Sequence, residues 1–478
     1  MLAACATTES GSSADSNGAE TTREEALAPG LDQAAGADPF PSTYQGLPRE
    51  NVAIVGATVL TGTDRRIENG VVIVTDGRIA AVGDAQTPVP GGHRVIDARG
   101  RYVTPGVIDV HSHLGVYPSP GVMGMSDGNE ATSPNTAQVW AEHSVWPQDP
   151  GFNTARAGGV TTLHILPGSA NLFGGRGVTL RNVPSITMQG MKFPGAPSTV
   201  KMACGENPKR VYGQKGGPAT RMGNMAGFRA AFTEAAEYRT RNTPNEDAPR
   251  RRGRNSGSEN GNGNGAGKRD LRLDTLAGAL NGDILVHIHC YRADEMANMM
   301  QLANEFGFEI AAFHHGVEAY KLADDLAREG ICGALWADWW GFKMEAFDGI
   351  QENVALVDRP ANGCAIVHSD SSEGIQRLNQ EAAKVMASAR RAGMDIAPER
   401  AITWVTANPA RSMGILDETG TLEPGKMADV VVWNRDPFSS YALAEHVYID
   451  GARVYDRNDR SRQPVSDFML GQSAGGAR

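Results

Sequence analysis

The sequence predicts an α/β protein: a parallel barrel of strands and helices joined to a small β domain assembled from both ends of the chain. Three observations predict it. Apolar runs of strand length alternate with loops and helical stretches over about 300 residues, the rhythm of parallel strands joined by crossover helices. Before that rhythm begins, alternating apolar runs are split by tight turns. After it ends, a similar signature returns. The chain has 478 residues, room for two or three domains or for one large barrel with an appendage. Hydrophobic residues make up 40% and charged residues 21%, enough for a sizeable core, which excludes wholesale disorder. Mean hydropathy is −0.34, and no apolar run is long enough to cross a bilayer as a helix. The 55 acidic residues outnumber the 45 basic ones, which argues against a nucleic-acid partner.

Taken in order, residues 1–48 begin with Leu2-Ala3-Ala4-Cys5, which resembles a bacterial lipobox whose cysteine is lipidated after cleavage. A tether rich in Ser, Gly, Ala and Glu follows to about Asp38, too polar to fold. The charged and apolar regions of a signal peptide do not precede Cys5. Two expectations stand: a periplasmic or outer-surface lipoprotein attached to a membrane through Cys5, or a cytoplasmic protein if the start is as written.

In residues 49–104, Val52-Ala53-Ile54-Val55, Gly70-Val71-Val72-Ile73-Val74 and Arg78-Ile79-Ala80-Ala81-Val82 read as strands, with Asp76-Gly77 as a hairpin turn. Their counterparts at 428–433 and 447–455, within 413–460, complete the β domain. Residues 105–412 form the barrel, with strands expected at 106–110, 159–166, 199–203, 284–289, 309–313, 330–335 and 363–368. Helices are expected at 293–306, 318–328 and 376–391 from apolar residues three or four apart. Residues 238–272 interrupt this with Arg250-Arg251-Arg252 and an Asn-Gly repeat, a disordered surface excursion or a basic docking loop. Residues 461–478 are a polar tail. None of the five cysteines lies in a CxxC pair, which excludes a zinc ribbon, and Cys204 and Cys290 read as packing residues.

Histidine placement carries the chemistry. In Val107-Ile108-Asp109-Val110-His111-Ser112-His113, residues two apart on a strand share a face, so His111 and His113 project together and can chelate one metal ion. Val286-His287-Ile288-His289, Phe313-His314-His315-Gly316 and Val367-His368-Ser369-Asp370 also end expected strands. A single such histidine is more often a satisfied core residue. Four at strand ends, with a carboxylate, suit zinc and similar divalent ions.

The run Asp97-Ala98-Arg99-Gly100-Arg101-Tyr102-Val103-Thr104-Pro105-Gly106 leading into that first site resembles the amidohydrolase superfamily, in its imidazolonepropionase/prolidase-like branch. Thr406-Ala407-Asn408-Pro409-Ala410-Arg411 and Gly420-Thr421-Leu422-Glu423-Pro424-Gly425-Lys426-Met427-Ala428-Asp429 carry the same resemblance near the other end. It implies a (β/α)8 TIM-like barrel with a composite β-sandwich, and a divalent metal, as two Zn2+ per chain. It implies His111, His113, His289, His315 and Asp370 as metal ligands, with Asp370 also moving the proton. A carboxylated Lys201 bridges the ions, or Glu206 does so from the following loop. His287 and His314 then lie behind the ligands, and a swap of His287 with His289 stays open. The implied activity is hydrolysis of an amide, cyclic amide or dipeptide C–N bond of a small molecule by metal-activated hydroxide. Deaminases of the family place a glutamate three residues after the strand-5 histidine, where this chain has Arg292. Tyr291 and Arg292 are candidates to hold a substrate carboxylate. Trp336, Trp339 and Trp340 either wall the pocket or form a structural cluster. The alternatives are a mononuclear deaminase-type hydrolase and a metal-free scaffold of the same fold.

Overall fold

A computed structural model describes residues 38–119, 121–242 and 268–463. Cys5 and the lipobox-like start, nearly all of the tether, the arginine and Asn-Gly runs and most of the polar tail lie outside the described residues.

The first sheet begins with β1 (Val52–Leu60), β2 (Arg66–Thr75), β3 (Arg78–Gly83), β4 (Arg94–Asp97) and β5 (Tyr102–Pro105). The Asp76-Gly77 turn joins β2 to β3 with both residues at positive φ (51° and 83°), as a two-residue hairpin requires. The barrel strands follow: β6 (Val107–Ser112), β7 (Val160–Ile165), β8 (Phe173–Arg181), β9 (Ser198–Ala203), β10 (Ile284–His289), β11 (Ile310–His314), β12 (Cys332–Leu335) and β13 (Ala365–Val367). The chain then returns to the first sheet with β14 (Val430–Trp433), β15 (Ala444–Ile449) and β16 (Ala452–Asp456). That sheet has the order β16-β15-β14-β5-β1-β2-β3, with β4 also paired to β1, so strands from both ends of the chain share it. The β14–β5 pairing is the splice between the two ends.

The barrel sheet runs β13-β12-β11-β10-β9-β8-β7-β6 and is nearly closed. Ser369 and Asp370, just after β13, donate backbone N–H groups to Asp109 Oδ1 (3.2 Å) and to the His111 carbonyl (3.1 Å) across the gap. One strand departs from the parallel expectation: β8 is antiparallel to both β7 and β9. Only residues 166–172 separate β7 from β8, too few for the crossover that a parallel connection needs. Its sequence, Phe-Gly-Gly-Arg-Gly-Val-Thr-Leu-Arg, hides it, because glycine is depleted in strands. Gly175 is required there, at φ 115° and with room for no Cβ against the Val139 carbonyl.

The helix Ala293–Phe306 buries Met296, Met299, Leu302 and Ala303 on one stripe and ends on Gly307 in the left-handed conformation. The helix Leu378–Arg391 buries Leu378, Ala382, Val385 and Ala389 in the same way. The single helix expected at 318–328 is a 3-10 turn, Ala319–Leu322, leading into a short helix, Ala323–Glu329. Both edges expected in the 238–272 excursion are ordered. Tyr238 lies in the helix Arg221–Asn242 and donates to the buried Asp274 carboxylate at 2.6 Å, on the helix Leu271–Asn281. Residues 243–267 lie outside the described residues.

Barrel and sheet domain meet at a buried ion pair. Arg181, ending β8, donates to both oxygens of Asp429 (2.7 and 2.6 Å), and neither side chain is more than 1% exposed. Asp429 also accepts from Thr419 Oγ1 and the Asp450 N–H.

The cysteines correct the packing reading: Cys204 pairs with Cys290 and Cys332 with Cys364, as two disulfides. Strand register explains both. Ala203 lies opposite His289, so the next residues, Cys204 and Cys290, face each other with Cα atoms 5.2 Å apart. Gly333 lies opposite Ala365, so the preceding Cys332 and Cys364 do the same at 4.6 Å. Adjacent strands are spaced by about 4.8 Å, within the span that a disulfide bridges.

Candidate active site

The C-terminal ends of the strands gather the histidines at one mouth. His111 on β6 is buried, and His113 follows it on the same face. Their Nε2 atoms are 3.3 Å apart. Asp370 points its Oδ1 at both, 3.1 Å from His113 Nε2 and 3.6 Å from His111 Nε2, while its Oδ2 is 3.7 Å from His315 Nε2. His113 donates from Nδ1 to the Leu166 carbonyl at 2.8 Å, leaving the Nε2 lone pair for the centre. His289 closes the ring of imidazoles, 4.9 Å from the His315 ring, with Nε2 3.5 Å from Asn207 Nδ2. Lys201, deep on β9, places Nζ 3.5 Å from His111 Nε2 and donates to the Pro167 carbonyl at 3.2 Å. His111, His113 and Asp370 offer ligand atoms that all lie within 4.8 Å of one another, and His315 Nε2 is 3.7 Å from the same carboxylate, a donor set of imidazoles and a carboxylate that fits divalent cations.

Electrostatics point the same way. Burial holds His111, His289 and His315 well below the ordinary histidine range, so they are neutral and free to donate lone pairs. Burial lowers Lys201 to about 7, so the amine is largely unprotonated above neutrality. Burial alone would raise Asp370, but the bond to His113 and the charges of His113, His368 and Lys201 outweigh it and hold the carboxyl below its usual range. His315 (φ 61°) and Asp370 (φ 50°) are left-handed without being glycine, and of the two His315 is the unusual one. Among the described residues, the other non-glycine positions with positive φ are all Asp or Asn, which adopt this conformation readily.

The remaining expected residues divide. Tyr291 is buried beside the mouth, its ring 4.9 Å from that of His289. Arg292 turns outward: its guanidinium is 40% exposed and makes two 2.9 Å bonds to Asp294. Glu206 opens the helix Glu206–Tyr212 and has its carboxylate 3.8 Å from Lys343 Nζ. Trp336 is buried and stacks on His315 (4.3 Å, 23°), walling the mouth, and Trp339 stacks on its outer side, while Trp339 and Trp340 are both exposed. His287 lies beneath the mouth against His164 and His314, which separates its position from that of His289.

Sequence reasoning missed three residues here. Asp109 is fully buried, accepts from the His111 and Ser369 N–H groups and the Ser369 hydroxyl, and is pushed up to about 7 by burial. The period-2 rule that paired His111 with His113 also puts Asp109 on their face. Lys343 holds its ammonium 4.0 Å from the centre of the Tyr291 ring and 3.0 Å from Glu345. Asn207 bridges Ser169 and His289. Lys343 lies in a loop and Asn207 in the first turn of a short helix, and neither had a periodic signal.

The solved structure of an amidohydrolase from Thermotoga maritima MSB8 is 33% identical to this chain, superposes with a TM-score of 0.74, and is matched over 100% of its length and 85% of this chain. This chain belongs to the amidohydrolase family. The Amidohydrolase family model matches residues 357–457. Amidohydrolase TasK of Hapsidospora irregularis is 32% identical over 407 residues, 82% of this chain, and this chain spans 40% of the length of that relative. The 5-methylthioadenosine/S-adenosylhomocysteine deaminase of Symbiobacterium thermophilum is 26% identical over 417 residues, 80% of this chain and 85% of the relative. As a family member this chain is a hydrolase acting on C–N bonds, from a family that acts on small molecules and generally uses divalent metals.

Proposed function

We propose that the chain hydrolyses an amide, cyclic amide or dipeptide bond, with two divalent ions held by His111, His113, Lys201, His289, His315 and Asp370. The observation that carries this is the approach of Nε2 of His111, His113 and His315 to one carboxylate, at 3.1 to 3.7 Å, with a buried lysine beside them. When bound, such ions lower the pKa of a shared water and polarise the scissile carbonyl. The chain's own residues do the rest. Asp370 reaches into the centre from the end of β13, held low enough to be ionised, and is the base that takes a proton there and returns it to the leaving nitrogen. Lys201, if carboxylated, would supply an anionic ligand shared by the ions, and its amine is neutral above about pH 7, the form that reacts with carbon dioxide. Trp336 and Tyr291 exclude water on one side. Lys343 stands where a substrate carboxylate would find a cation, the role that Arg292 does not take in this geometry.

The deaminase relative supports a second reading, with one ion. Arg292 standing where a deaminase-type glutamate is expected weighs against it. Export as a lipoprotein is our proposal for compartment. Two disulfides support an oxidising environment, as in the periplasm.

Metal content per chain tests the reading, on wild type, Lys201→Ala and Glu206→Ala. The expected result is about two ions, falling to about one or fewer in Lys201→Ala alone. A fall in Glu206→Ala alone would move the bridge to that residue. A single ion in all three would favour the mononuclear reading, and no ion after supplying zinc or manganese would overturn the catalytic one.

A further inference from the structure

Three buried imidazoles stand in file from the metal-facing end of β6 into the barrel interior. His111 Nδ1 is 2.8 Å from His314 Nδ1, and His314 Nε2 is 2.9 Å from His287 Nδ1. All three side chains are buried. The proposed ligand set uses neither His314 nor His287. Barrel interiors are ordinarily filled by branched apolar side chains. Imidazoles in that place cost stability unless their nitrogens are satisfied.

Each nitrogen–nitrogen contact holds one proton, so one ring donates and the other accepts. The direction follows from His111. Its Nε2 faces His113 Nε2 and Asp370 Oδ1, at 3.3 and 3.6 Å, and a cation there needs the lone pair. The proton of His111 then sits on Nδ1 and is donated to His314 Nδ1. His314 carries its own proton on Nε2 and donates it to His287 Nδ1. His287 keeps its proton on Nε2, which has the Ser412 backbone beside it but no partner in good hydrogen-bond geometry. Running the string the other way would put a proton on the nitrogen that faces the ion.

We propose that His314 and His287 are positioning residues that lock His111 in the tautomer with its Nε2 lone pair presented to the metal. This rests on the reading of His111 as a ligand. His314 clamps the ring from the side away from the ion and leaves one tautomer compatible with the file. His287 orients His314 in turn, because it offers an acceptor only to the Nε2 proton.

The test uses the full chain, with zinc affinity by chelator competition and 15N-histidine NMR as readouts. His314→Phe keeps a planar aromatic ring, slightly larger than imidazole, and removes the acceptor, and His314→Asn restores an amide oxygen near the Nδ1 position. Zinc is expected to bind about 10- to 100-fold more weakly in His314→Phe, the range for losing a partner that orients a ligand, and most of the loss is expected to be recovered in His314→Asn. The wild-type spectrum is expected to place the His111 proton on Nδ1, a readout that stands even if a variant fails to fold. A proton on His111 Nε2 in the zinc-loaded protein, or wild-type zinc affinity in a folded His314→Phe, would overturn the proposal. His111→Ala separates the two failures. If it binds zinc as wild type does, the ligand reading itself fails. If it loses zinc while His314→Phe keeps it, only the positioning role fails.

Discussion

The bridge between Cys204 and Cys290 offers a quantitative test of how the mouth is held. It closes a loop with a sequence separation of 86, and the Cys332–Cys364 bridge closes one of 32. Loop-closure entropy predicts about 4.6 kcal/mol for the first and about 3.7 kcal/mol for the second. Replacing each pair by alanine deletes the same atoms, so the difference of about 1 kcal/mol isolates the loop term. Position separates the two further. Cys204 and Cys290 directly follow β9 and β10, the strands that carry Lys201 and His289. Cys332 opens β12 and Cys364 precedes β13, at the opposite end of the barrel. We expect the Cys204→Ala/Cys290→Ala variant to lose about 4 to 5 kcal/mol in equilibrium urea unfolding and also to bind zinc more weakly. We expect Cys332→Ala/Cys364→Ala to lose about 3 to 4 kcal/mol with zinc affinity unchanged. Thiol titration of the denatured, unreduced protein comes first. Reactive thiols at these four positions, or a loss under about 1 kcal/mol in both variants, would refute the reasoning.

Three further predictions concern charge. Lys201 has a pKa of about 7 in the fold against an ordinary 10.5, so the unfolded chain binds the extra proton between those values. Stability of the metal-free protein therefore rises with pH across that window, and thermal unfolding at several pH values should show a shallower rise in Lys201→Met. Arg181→Met strands the buried Asp429 carboxylate and should cost about 3–5 kcal/mol in urea unfolding, with much of the loss recovered in Arg181→Met/Asp429→Leu. Arg292→Ala should change KM for a carboxylate-bearing substrate by no more than about twofold, whereas Lys343→Ala should raise it about tenfold or more, the loss of a charged hydrogen bond. Steady-state kinetics with dipeptides and N-acyl amino acids would decide between the two residues.

Much of the fold and the placing of histidines at strand ends was legible because both rest on short-range periodicity. The period of two that reads β6 as a strand also puts His111 and His113 side by side. The apolar stripe of Ala293–Phe306 marks that helix at both ends. Where local signals were weak or misleading, the reading failed. The glycines of β8 hid a strand that neighbouring strands stabilise, and its antiparallel direction followed from a loop too short to cross over. The expected excursion took in Tyr238 and Arg272, polar residues that find partners in folded helices.

Residue types and their spacing determined the fold class, the strand-end histidines and the family, because each is written in neighbours along the chain. Which residues meet across the chain was decided by packing. Register set Cys204 opposite Cys290, and barrel closure brought Asp370 to His111 and His113 over more than half the chain's length. The same folding turned Arg292 out to Asp294, set Lys343 over Tyr291 and lined up His111, His314 and His287. Such contacts depend on strand order and loop path, and these are properties of the whole folded chain.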